Sequence, residues 1–159
     1  MIFVILGTQD KGFVRLLEEI DRLINDGVIS DSVIAQIGHT KYYSENMKLM
    51  DFIGIDQFND YIKSADLIIT HGGVGAILNA LLQHKKVIAV PRRVEFNEHE
   101  NDHQIEIVQE FKNYGYIQGT LSVNGLKEEI MKNNEFTPKP YKANNQFFCD
   151  QLAEIIERI

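Results

Sequence analysis

The chain has 159 residues, of which 44% are hydrophobic and 25% charged, and its formal net charge is −7 at pH 7. That length suits a single domain, residues 1–159, with a core of its own, and the apolar content excludes a disordered chain. The acidic balance, unrelieved by any dense Lys/Arg block, argues against a surface for nucleic acid or anionic lipid, so a role at a membrane would require a partner.

The opening MIFVILGTQDKG lacks the basic start and the long apolar stretch of a secretory leader, and no later run is long enough to span a bilayer; a cytoplasmic location is expected. Residues 2–6 form a nearly unbroken apolar run, as in a strand covered on both faces, and Gly7-Thr8-Gln9 is expected to turn it into a helix. The apolar face of that helix is Phe13, Leu16, Leu17, Ile20, Leu23 and Ile24. Residues 33–37 and 50–55 read as further strands, 58–63 as a short helix, and Leu67 lies in the next strand. After a glycine-rich turn a helix begins near Ala76, and residues 87–90 give another strand, stopped by Pro91. Ile105, Val108 and Phe111 mark a helix, 116–118 a short strand, 126–131 a helix and 144–159 a closing helix. Within the last, Cys149 lies among Phe147, Phe148 and Leu152; a lone cysteine there reads as buried packing in a reducing compartment, not as a nucleophile. Strands alternating with crossover helices predict an α/β fold with a doubly wound parallel sheet, Rossmann-like, whose ligands sit at the carboxyl ends of the strands.

The segment DLIITHGGVG, residues 66–75, carries the strongest chemical signal. An apolar strand runs into His71, Gly72, Gly73, Val74 and Gly75 and then into an apolar helix. Glycines there let backbone N–H groups approach a ligand at the positive end of the helix dipole, so the turn reads as an anion cradle. Asn79 lies one turn further along, on a face able to meet the same ligand. Gly7 and Thr8 follow the first strand and offer backbone and hydroxyl contacts, although a plain tight turn explains them equally well. The pattern is neither a dinucleotide fingerprint nor a Walker loop, because the further glycines of the one and the Gly-Lys-Ser/Thr of the other are lacking.

The loop beyond Pro91 contains His99-Glu100-Asn101-Asp102-His103, a match to the zinc-peptidase pattern H-E-x-x-H. Its flanks are polar and helical periodicity begins only at Ile105, so no metal site is expected; Asp102 is expected to cap the helix starting at His103.

Taken together, the strand–HGGVG–helix unit, the second strand ending in VIAVPR and the following NEHENDHQ resemble the donor-binding, C-terminal half of GT-B glycosyltransferases of family 28. In particular the chain is similar to the small soluble subunit of two-part bacterial enzymes that build exopolysaccharide and capsule, and to the catalytic subunit of the eukaryotic two-part N-acetylglucosaminyltransferase. The resemblance implies that His71 to Gly75 holds the diphosphate of a UDP-sugar. It also implies that Arg92, with the loop Asn97, Glu98, His99, Asp102, His103 and Gln104, walls the nucleotide and sugar. Asn79 departs from the pattern, since many members carry there a glutamate that binds the ribose hydroxyls.

The resemblance further implies an inverting, metal-independent hexosyl transfer to a lipid-diphosphate-linked saccharide, with no cofactor beyond the UDP-sugar donor. No Asp-x-Asp pair is present, and no residue is singled out as the general base. The acceptor half is expected on a membrane-associated partner subunit, which would recruit this chain to the inner face of the membrane as a heterodimer. Phe147, Phe148, Leu152, Ile155 and Ile156 offer either partner contacts or core packing. UDP-galactose, UDP-glucose and UDP-N-acetylglucosamine all fit the pattern. A non-catalytic nucleotide-sugar-binding or enhancer subunit is the alternative.

Overall fold

The computed structural model describes residues 1–143 and 146–158. Strands β1 (Ile2–Ile5), β2 (Val33–Gln36), β3 (Met47–Met50), β4 (Leu67–His71), β5 (Lys86–Val90) and β6 (Gln118–Gly119) pair in parallel, in the order β3-β2-β1-β4-β5-β6. This is the doubly wound order. Direction of travel reverses between β1 and β4, and at such a switch point the loops leaving the two strands diverge and leave a crevice at their carboxyl ends.

The helices are α1 (Val14–Asn25), α2 (Ile55–Ser64), α3 (Val74–Leu82), α4 (His103–Asn113), α5 (Leu126–Lys132) and α6 (Gln146–Glu157). Because successive strand side chains point to opposite faces, Ile2, Val4 and Leu6 meet α1 and Leu126 of α5, whereas Phe3 and Ile5 meet α2, α3, α4 and α6. On α1, Leu16, Leu17, Ile20 and Leu23 are wholly buried at helical spacing; each such side chain contributes roughly 1.5–3 kcal/mol when removed from water. The second face ends in an aromatic cluster in which Phe148 of α6 lies 4.9 Å from Phe111 and 4.8 Å from Tyr114, ring to ring. Phe148, Leu152 and Ile155 thus pack inward, leaving Phe147 and Ile156 exposed. Cys149 is half-buried. The expected ends of this last helix, Asn144 and Ile159, lie outside the described residues.

Several elements differ from the sequence-based expectation. The strand expected over 50–55 is β3, at Met47–Met50. Gly54 begins α2 instead, at its N-cap, and Ile53 and Ile55 line a cavity. Alternation of apolar residues marked this segment, but the faces it serves are a cavity and a helix start, not a sheet. Gly7-Thr8-Gln9 does not pass directly into a helix: α1 starts only at Val14, and the intervening loop is tied down by Phe13 N–H donating to the Thr40 hydroxyl at 3.1 Å. The final strand is shorter and later than 116–118, because Tyr116 and Ile117 bury into the aromatic face before the ladder begins.

Candidate functional site

A cavity of about 470 Å³ opens at the crevice between β1 and β4. Gly7 and Thr8 come to it from the end of β1, His71 and Gly73 from the end of β4, and Gly75 and Asn79 from the first turns of α3. Ile53, Ile55 and Phe58 supply an apolar wall, and Gln36 closes the side next to β2.

The glycines of the turn serve different purposes. His71 lies between Gly7 and Gly73, whose hypothetical Cβ atoms would stand 2.6 Å and 2.2 Å from its Nε2. Gly7 also has φ +77, a conformation that side chains disfavour. Gly72 faces the other way, where a Cβ would meet that of Gln104 at 2.7 Å, so it is a packing glycine. Gly75 is exposed and has open space around it. Gly73 is the N-cap of α3 and lends no side chain to the helix end. The first N–H groups of α3 therefore lack an intrahelical acceptor and form the positive end of the helix dipole, an arrangement suited to an anion.

His71 is held neutral. Its Nδ1 is 3.3 Å from both the Ile5 carbonyl and the Thr70 hydroxyl, whose own proton goes to that carbonyl; a proton on Nδ1 satisfies this arrangement and leaves the lone pair on Nε2. Burial, reinforced by the charge of Arg92 and by His99 nearby, pushes its pKa down to about 4.

The residues beyond β5 do not line this cavity; they build the wall next to it. Arg92 is fully buried, and its guanidinium faces inward: Nη2 donates to the Leu6 carbonyl at 2.7 Å, and Nη1 to those of Lys11 at 2.7 Å and Glu98 at 3.2 Å. Burial lowers its pKa to about 10, so it remains a cation at neutral pH. Arg92, expected to wall the nucleotide and sugar, also fastens three loops together, and two of its three carbonyl partners, those of Leu6 and Glu98, lie in the interior, where water cannot satisfy them. Glu98 is likewise internal, taking a two-pronged contact from Arg15, at 2.6 and 2.9 Å, and the Arg93 N–H at 3.0 Å. Gln104 Oε1 accepts from the N–H groups of both Gly72 and Arg92.

Asp102 occupies the N-cap position of α4 but does not cap with its side chain, which accepts from Val94 N–H at 2.9 Å. Asn101 Oδ1 takes the His103 N–H instead. His99 precedes α4 and meets His103 edge to face at 4.7 Å, so the two histidines of the H-E-x-x-H match do not share one helix. Among the described residues no group of three or more His, Cys, Asp or Glu is placed to hold a metal ion. Asn97, exposed and left-handed at φ 55, accepts from Lys11 at 3.3 Å.

Sequence reading missed Gln36, Ile53, Ile55 and Phe58, which reach the cavity from other elements, and the partners of Asn79. Its Nδ2 donates to Asn59 Oδ1 at 3.3 Å, and its Oδ1 accepts from Gln83 Nε2 at 2.8 Å. The spacing of Asn79 and Gln83, four apart on one helix, was the one available signal.

The chain is 29% identical over 115 residues to the UDP-N-acetylglucosamine transferase subunit ALG13 of Candida albicans, covering 72% of this chain but 35% of that protein. A solution structure of ALG13 superimposes with a TM-score of 0.60 at 19% identity, over 95% of this chain and 93% of the other. The glycosyltransferase of kitacinnamycin superimposes with a TM-score of 0.60 at 15% identity, over 98% of this chain and 38% of the larger enzyme. These two show a shared fold. Among the described residues no helix is long and apolar enough to cross a membrane. The glycosyltransferase family 28 C-terminal domain matches residues 1–159, and the chain belongs to that family.

Proposed function

We propose that the chain is the donor-binding, catalytic subunit of a two-component glycosyltransferase that moves a hexosyl group from a UDP-sugar to a lipid-linked saccharide, in exopolysaccharide or capsule assembly. The observation that carries this reading is the cavity at the β1–β4 switch point, lined by the N-terminus of α3, which no side chain caps, and by the apolar residues Ile53, Ile55 and Phe58. A diphosphate meets the backbone N–H groups at Val74 to Ala76, and the planar base lies against Ile53, Ile55 and Phe58. The acceptor oxygen bonds to the anomeric carbon while the bond from that carbon to the β-phosphate oxygen breaks, with inversion. The electron pair leaves with UDP, and the acceptor proton passes to a base for which the partner subunit is the proposed source. Charge growing on the departing diphosphate is stabilised by the helix N-terminus already in place, which fits a reaction without metal or cofactor.

A membrane-associated acceptor subunit is part of the proposal. Its support is the word "subunit" in the name of the yeast relative, and the exposed apolar residues Phe52, Ile55, Val94 and Phe96, which follow the strand carboxyl ends. Recruitment from the cytoplasm to the membrane then rests on that partner.

Calorimetry with UDP tests the donor site, and co-expression with candidate acceptor subunits followed by transfer from labelled UDP-sugars tests catalysis. Absence of UDP binding by both the chain and its complex removes the proposal. UDP binding with transfer by the partner alone selects a second reading, a non-catalytic enhancer, which the already engaged carboxamide of Asn79 favours.

A further inference from the structure

Resting on the nucleotide-site reading above, we infer that Asn79, held between Asn59 and Gln83, reads the pentose of the donor and accepts 2′-deoxyribose nearly as well as ribose. The donor class then includes 2′-deoxynucleoside diphosphates. Asn79 lies four residues beyond Gly75 on α3, on the same face and about 6 Å further along the axis. It lines the same cavity as Gly73 and Gly75 of the glycine-rich turn and the apolar residues Ile53, Ile55 and Phe58. A nucleotide with its diphosphate at the turn and its base on that wall places its pentose at Asn79.

What Asn79 can offer is limited by its neighbours. Gln83 Nε2 donates to Asn79 Oδ1 at 2.8 Å and Asn79 Nδ2 donates to Asn59 Oδ1 at 3.3 Å. One N–H and one lone pair remain. Reversing all three amides changes the direction of the chain but leaves the same remainder, so the conclusion does not depend on how the oxygen and nitrogen atoms are assigned. A carboxylate at this position would accept from two vicinal hydroxyls at once through charged hydrogen bonds. A half-buried, neutral amide with one free donor and one free acceptor loses a single uncharged bond when the 2′-hydroxyl is absent, a change of less than about tenfold in affinity. The proposed wall for the base, Ile53, Ile55 and Phe58, is apolar.

The test is competitive calorimetry of the full chain with UDP, 2′-deoxy-UDP and thymidine diphosphate, repeated on Asn79→Glu. The expected result is a UDP to 2′-deoxy-UDP affinity ratio below about tenfold for the native chain, rising at least several-fold in Asn79→Glu. A native ratio above about tenfold overturns the inference while leaving the nucleotide site intact, and so does a ratio that Asn79→Glu does not move. Failure of all three nucleotides to bind the chain and its complex with the acceptor subunit removes the nucleotide-site reading itself, and this inference with it.

Discussion

Gln104 Oε1 accepts the backbone N–H of Gly72 at 3.0 Å and, with its other lone pair, that of Arg92 at 3.0 Å. One side chain on α4 thereby fixes the carboxyl ends of β4 and β5 relative to each other, and with them the start of α3. Gln104→Ala leaves two buried N–H groups without an acceptor, at roughly 1–3 kcal/mol each. A loss of about 2–6 kcal/mol in urea denaturation is expected; a loss below about 1 kcal/mol would mean that water takes over both bonds.

Gly73 and Gly75, two residues apart, are expected to respond in opposite ways. Any side chain at Gly73 collides with His71, so Gly73→Ala disturbs the ring and lowers stability. Gly75 has free space, and Asp there sits in the first turn of α3, where a negative charge and the loss of a glycine both favour the helix. Gly75→Asp should hold or raise the melting temperature while abolishing UDP binding in calorimetry. Retained UDP affinity in a folded Gly75→Asp protein would falsify the placement of the diphosphate.

Acid should weaken the fold through His71. The folded protein holds this imidazole neutral to about pH 4, whereas the ordinary value is 6.5, so between those values the unfolded chain binds the extra proton. The contribution is complete above about pH 6.5 and is lost as pH falls toward 4, on the order of 3 kcal/mol in all. His99 and His103 are lowered as well, through burial, and act with the same sign. Urea titrations at pH 7 and pH 4.5 measure the sum. The ring resonances of His71 in an NMR titration should stay unprotonated through pH 6; a midpoint near 6.5 contradicts the burial argument.

Arg92→Lys should not behave as a conservative change. The planar guanidinium serves three carbonyls on three loops, and a single ammonium on a flexible stem cannot face all of them. Destabilisation of about 1–3 kcal/mol is expected. Faster amide exchange over residues 8–12 and 97–102, with β1 and β4 unchanged, would show that the loss lies in fastening the loops.

The sheet and most helices were legible because each needs only a local pattern: continuous apolar residues for strands buried on both faces, and helical spacing of Leu16, Leu17, Ile20 and Leu23 for α1. Alternating apolar residues at 53 and 55 misled, since periodicity cannot distinguish a sheet face from a cavity wall. The glycine-rich turn was legible as a strand–turn–helix unit because its residues are consecutive in the chain. The partners of Arg92 were not legible for the opposite reason: the carbonyls of Leu6, Lys11 and Glu98 that its guanidinium serves come from separate loops, two of them distant in sequence.

The sequence by itself determined the doubly wound class, the strand–turn–helix unit and the family resemblance, because these depend on residues adjacent in the chain. Only the tertiary structure decided that Gly72 faces Gln104, that Gly75 alone of the three turn glycines is unencumbered, and that Asn79 is joined to Asn59 and Gln83. Those assignments come from contacts across elements, and burial and hydrogen bonding there determine which polar groups stay free for a ligand.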